Sequence, residues 1–230
     1  MNLRYCMYDL GTGLEIVGIN NRNQIAGSAV LPGDSVQGFV WQWHKGIRLL
    51  GLLPGAAISV AYDINDLGQV VGASGSGAYI WGPRTGMRAI SELGTAWHIN
   101  NAGQIVGYGT TANGLGQVFR DRDGEMQDVG PGFAFGLTNY GVLGLNIQSA
   151  HESEMFFWNK RTGPHLVPNF PEPSFITFPE FTSNALSDRL EVVAAANQGT
   201  TFHAIRWTRQ SGMQDLGTLT GAGYSAASAV

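Results

Sequence analysis

Short apolar stretches rich in Val, Ile, Phe and Trp recur along the whole chain, separated by clusters of Gly, Asn and Asp. That is the pattern of strands joined by tight turns. One segment, Ile19–Gly27 (INNRNQIAG), returns as Ile64–Gly72 (INDLGQVVG) and Ile99–Gly107 (INNAGQIVG), with weaker copies at Leu137–Gly141 and Leu186–Leu190. Successive starts lie 45, 35, 38 and 49 residues apart. A second motif keeps step: Gly38–Trp41, Ala78–Trp81, Gln117–Arg120, Met155–Trp158 and Ala204–Trp207. A third, ending each unit, includes Ile47–Gly51, Met126–Gly130 and Met213–Gly217. Each unit therefore predicts four strands, a to d, in order.

The tetrad has a mechanical reading. Asn-Asp-x-Gly between two strands suits a hairpin whose last turn residue is left-handed, a conformation that Gly adopts freely and Asn tolerates. Asn23, Gly68, Gly103 and Gly141 fit, whereas Leu190 departs, so the fifth hairpin is expected to be built differently or strained. Four-stranded units at a period near 40 predict an all-β fold, a β-propeller of four-stranded blades. Five complete repeats, at about 15-51, 60-91, 95-130, 133-168 and 182-219, make one domain over 1-230. The ends fit the same scheme: Met7–Gly11 resembles strand d and Ser225–Val230 resembles strand a, so the N- and C-terminal strands are expected to form part of a further unit or the closing seam.

These motifs resemble the HAF family of extracellular repeats, whose pattern is an Ile-Asn-Asp-x-Gly-Gln-Val-Val-Gly hairpin, then His-Ala-Phe-Leu-Trp, then Asp-Leu-Gly-Thr-Leu. His203–Trp207 and Asp215–Leu219 carry the resemblance most literally, and Arg120 in place of Trp and Leu190 in place of Gly are departures. The resemblance implies a propeller-like fold and a location outside the cell or at its surface. It supplies no catalytic residues to carry over.

Composition narrows the classes of function. The chain of 230 residues has 33 Gly, is 43% apolar and only 13% charged, which suits a turn-rich globular domain rather than a disordered one. A formal net charge of -4 without a basic patch argues against nucleic acid as a partner. Cys6 is the lone cysteine, so no internal disulfide and no cysteine metal spacing can form. No apolar run is long enough for a membrane helix, and Met1–Gly11 lacks the apolar stretch of a signal peptide. No motif implies a cofactor or a metal; Asp121–Glu125 reads as a turn between strands c and d.

Strand order places the a–b and c–d turns on one face and the b–c and d–a loops on the other. The second face has the longer loops and is the expected ligand side. Its expected ligand-binding residues are His151, Glu152, Glu172, Phe175 and Phe178, with Phe for apolar contact and polar groups for orientation. A second candidate is axial: Asp63 and His98 hold equivalent positions on strand a, where other units have Gly18, Gly136 and Ala185. They are expected either to bind a ligand near the axis or to satisfy each other. The functional expectation is a non-enzymatic binding propeller for a glycan or protein surface. The alternatives are a hydrolase or lyase acting on polysaccharide, and a structural repeat module of a larger assembly.

Overall fold

The computed structural model describes residues 8–90, 93–111, 114–130, 132–148, 153–167, 176–177, 184–197, 201–219 and 222–230. Blade 1 contains β1 (Leu14–Ile19), β2 (Gln24–Leu31), β3 (Ser35–Gln42) and β4 (Gly46–Leu49). Blade 2 contains β5 (Ser59–Ile64), β6 (Val70–Ser74), β7 (Gly77–Gly82) and β8 (Gly86–Ile90). Blade 3 contains β9 (Leu93–Ile99), β10 (Ile105–Thr111), β11 (Gly114–Arg120) and β12 (Met126–Gly130). Blade 4 contains β13 (Phe133–Leu137), β14 (Val142–Gln148), β15 (Ser153–Asn159) and β16 (Gly163–Leu166). Blade 5 contains β17 (Ile176–Thr177), β18 (Val192–Asn197), β19 (Phe202–Thr208) and β20 (Gly212–Gly217). Every blade is an antiparallel sheet with its strands in sequence order, and the five form a ring, a five-bladed β-propeller.

The Ile that precedes the Asn-Asp-x-Gly tetrad ends the innermost strand of each of the first three blades, and Leu137 ends that of blade 4. In blade 5 the innermost edge is interrupted: β17 is short, and Leu186 joins Val192 through an isolated bridge. A recurrent bulge at Val17, Tyr62, Trp97 and Phe135 shifts the register of the innermost strand against its neighbour. The Gly that closes the motif has a steric cause. A Cβ at Gly72 would lie 1.9 Å from the Val60 carbonyl and 2.9 Å from the Tyr79 ring, and a Cβ at Gly27 would meet Glu15 and Phe39 in the same way.

The core sits between blades. Ile64 packs with Ala26, Val40 and Leu50 of blade 1, Ile99 with Val71 and Ala78 of blade 2, and Leu186 with Phe135 and Met155 of blade 4. Each of these side chains thus faces the preceding blade. Ile19 occupies the same position in blade 1 yet is 65% exposed, against 7% for Ile64 and 1% for Leu186, because its face meets the seam between the last blade and the first.

The described residues of the two chain ends form no strand of a sheet, but each repeats a hydrogen-bond pattern of the blades. Ser225 accepts from the Ala204 N–H and donates to the Gly217 carbonyl, as Ser59 accepts from the Gly38 N–H and donates to the Gly51 carbonyl. Ser225 therefore stands where the next blade's innermost strand would begin. At the other end the Asp9 carboxylate accepts the Gly11 N–H, as Asp128 accepts Gly130 and Asp215 accepts Gly217 at the ends of β12 and β20.

Candidate functional site: the axial cavity

A cavity of about 770 Å³ runs along the axis, walled by the ends of the innermost strands, the a–b turns and residues Ser228–Val230. Its polar wall is built by the repeat itself. The Asn65 side chain folds its own turn, accepting from the N–H groups of Leu67 and Gln69 through Oδ1 and donating to Gln69 Oε1 through Nδ2. The second amide hydrogen of Nδ2 goes to the Asn100 carbonyl of the next blade at 3.0 Å. Asn20 and Asn100 repeat this arrangement. In blades 4 and 5 the hydroxyls of Thr138 and Ser187 take over the turn contacts. In the first three blades the motif is therefore a clip between hairpins, which accounts for Asn at one position and Gln four residues on.

The next residue of each turn points around the mouth. The Asn21 N–H donates to Asp66 Oδ1, Asp66 N–H to Asn101 Oδ1, Asn101 N–H to Asn139 Oδ1 and Asn139 N–H to Asp188 Oδ1, at 2.7–2.8 Å. Asn21 and Asn101 also donate their side-chain amides to Asp66 Oδ2. These bonds, led by the Asn21 side chain, hold the Asp66 carboxyl below its usual range, with Arg22 adding a smaller favourable charge. Asp66 is accordingly an ionised acceptor at neutral pH.

Asp63 lies on the cavity wall, and His98 is buried at 2% exposure. His98 Nδ1 lies 3.8 Å from Asp63 Oδ2, beyond hydrogen-bond reach. Asp63 instead accepts the N–H of Ile64 through Oδ1 and that of Ile99 through Oδ2 at 2.9 Å. The cause is the position of β9 at the inner edge of its sheet, where a backbone N–H has no strand partner and takes a carboxylate from the neighbouring blade. Asn184 does the same for the Leu137 N–H.

The expected residues of the longer-loop face, His151, Glu152, Glu172, Phe175 and Phe178, lie outside the described residues. The role of Asn21, Asn101, Asn139 and Asp188 was missed by sequence reasoning that treated the tetrad only as turn chemistry. Their spacing at the repeat period was the signal that could have found them. Among the described residues no three His, Cys, Asp or Glu side chains are grouped to hold a metal ion. His203 and Asp215, the His and Asp of the two most literal motifs, form a cross-strand pair at 2.8 Å. That bond and the Gly217 N–H keep the Asp215 carboxyl below its usual range.

The fold and cavity define the class: a five-bladed β-propeller with a polar axial mouth. Among solved structures, the chain is similar to TolB from Acinetobacter baumannii, with 14% identity over 85% of this chain and a TM-score of 0.54. It covers 52% of TolB and so spans about half that protein's length. It is also similar to the β-propeller domain of the Trilobed protease from Pyrococcus furiosus, with 10% identity over 95% of this chain and 87% of that one, at a TM-score of 0.47. At such identities the likeness to TolB shows the fold alone. No protein-family model and no curated protein matches the chain.

Proposed function

We propose that this protein is a non-enzymatic binding propeller that holds a glycan, through its hydroxyl groups, at the mouth of the axial cavity. The observation that carries this reading is the arc of turn side chains from Asn21 to Asp188, each held by a neighbouring blade before any ligand arrives. Such preorganisation reduces the ordering cost of binding. Of the roughly four lone-pair sites of a carboxylate, Asp188 uses two on Asn139, leaving acceptors for paired hydroxyls. Among the described residues no Lys, Arg or His lines the cavity, which favours neutral sugars over anionic ones. The resemblance to HAF repeats supports a place of action outside the cell or at its surface.

The test is a glycan array followed by calorimetry on any hit. Ile19→Trp fills the mouth from an exposed position, so it should abolish binding with the unfolding temperature unchanged. Phe175→Ala and Glu172→Gln on the longer-loop face should leave affinity intact. The opposite pattern would move the ligand to that face, and cleavage of a bound glycan would replace the binding module by a hydrolase or lyase. An array without hits, with capture of a protein instead, would remove the glycan.

A further inference from the structure

We propose that the groove between blades 2 and 3 is an oxyanion site, in which Arg88, Arg120 and Arg122 hold a sulfate, phosphate or carboxylate group. This inference is independent of the axial reading and lies at a separate cavity. The groove has a volume of about 400 Å³, and its wall combines the three arginines with Gln69 and an apolar floor of Leu67 and Ile80. Among the described residues no carboxylate lines it.

The repeat supplies an internal comparison. Arg48 on β4 pairs with Val40, and its guanidinium lies 5.0 Å from the ring centre of Trp81 on the next blade. Arg88 on β8 pairs with Ile80 and is the counterpart of Arg48, while Arg120 on β11 pairs with Ile105 as Trp81 pairs with Val70. A cation over an indole is attractive. One blade further on, the same two positions place two cations on one groove wall, where like-charge repulsion is relieved by an anion held between them. Arg120 is therefore the point at which this chain leaves its own repeat, and the departure converts a packing contact into a basic groove.

The neighbouring charges leave the groove uncompensated. Among the described residues none of the three arginines joins an ion pair, and their guanidinium groups make one hydrogen bond, a 3.5 Å contact from Arg120 to the Asp121 carbonyl. The nearby Asp121 carboxylate is committed elsewhere: it accepts from Lys160 at 3.0 Å, from Gln104 and from the Arg122 N–H. Gln69 uses its Oε1 on Asn65, so its amide hydrogens add to the donors. Planar guanidinium groups present paired N–H donors that match the oxygens of sulfate, phosphate and carboxylate.

The experiment compares sodium sulfate with sodium chloride at matched ionic strength, by thermal shift and calorimetry, on the wild type, Arg120→Trp, Arg88→Gln and the exposed turn variant Arg209→Gln. Sulfate should raise the unfolding temperature of the wild type and of Arg209→Gln beyond chloride. Arg120→Trp restores the residue that other blades carry, so without sulfate it should fold with an equal or higher unfolding temperature while losing the sulfate response. Arg88→Gln should weaken sulfate about tenfold or more, as loss of a charge-assisted contact predicts. A heparin tetrasaccharide in a parallel titration separates sources. Tighter binding than sulfate that depends on Arg120 assigns the group to a polysaccharide, and equal or weaker binding assigns a free anion. A sulfate response that is absent from the wild type, or the same in Arg120→Trp, would overturn the site. Ile19→Trp should leave the response unchanged, so failure here and failure of the axial reading are distinguishable.

Discussion

The Ser225 hydroxyl donates to the Gly217 carbonyl at 2.7 Å, the bond that Ser59 makes to Gly51 at 2.8 Å between blades 1 and 2. A residue of the tail thus does for the last blade what the innermost strand of blade 2 does for blade 1. Ser225→Ala leaves two partly buried backbone groups, the Ala204 N–H and the Gly217 carbonyl, without that partner and should cost about 1 kcal/mol in chemical denaturation. Removing 222–230 should cost more and promote association, since the tail also sets Ala227 against the core of blades 4 and 5. A truncated protein that stays monomeric with an unchanged midpoint would show the tail to be dispensable.

The Asn65 clip should be among the most sensitive polar positions. Its side chain makes four hydrogen bonds at 3% exposure, so Asn65→Ala should destabilise by roughly 2–4 kcal/mol. Asn65→Ser keeps the turn contacts that Ser187 makes in blade 5 and should recover part of the loss. Equal midpoints for the two variants would argue that the contact to Asn100 dominates.

Leu190 has φ of +60°, matching the left-handed Asn23, Gly68, Gly103 and Gly141 of the other hairpins, so the fifth hairpin keeps the common geometry with a strained residue. The strain of about 1–2 kcal/mol is opposed by packing, because the side chain lies against the core shared by blades 4 and 5. Leu190→Gly removes both and adds backbone entropy to the unfolded chain, so its midpoint should be equal or slightly lower. A clear rise would show that strain outweighs packing.

Acid stability should report on Asp121. Hydrogen bonds from Lys160, the Arg122 N–H and Gln104 lower its pKa from 3.8 to about 2. A depressed folded-state pKa means that the contribution is complete above the unfolded value and is lost as pH falls from about 4 to about 2. Asp121→Asn should flatten that part of the stability curve and leave its shape above pH 5 unchanged, a small effect because its main partner, Lys160, is exposed to solvent. An acid limb identical to wild type would assign the stabilisation to other carboxylates.

Blade number, strand order and the left-handed turn residues were legible in the sequence because each rests on residues close in the chain. The turn of Ile64–Gly72 closes within its own span, and its apolar alternation selects the strands whatever lies across the ring. What depends on partners in another blade was not legible. The Asn65 amide reaching Asn100, Asp63 capping Ile99 rather than meeting His98, and the exposure of Ile19 all depend on which blade stands next to which. The same holds for Arg88 and Arg120, far apart in the chain and on one groove wall. Arg120 announced itself as a departure from Trp, but only tertiary structure gave it a basic neighbour. Short-range hydrogen bonds and side-chain periodicity are written locally, whereas the charge and exposure of a groove are properties of two surfaces brought together by the ring.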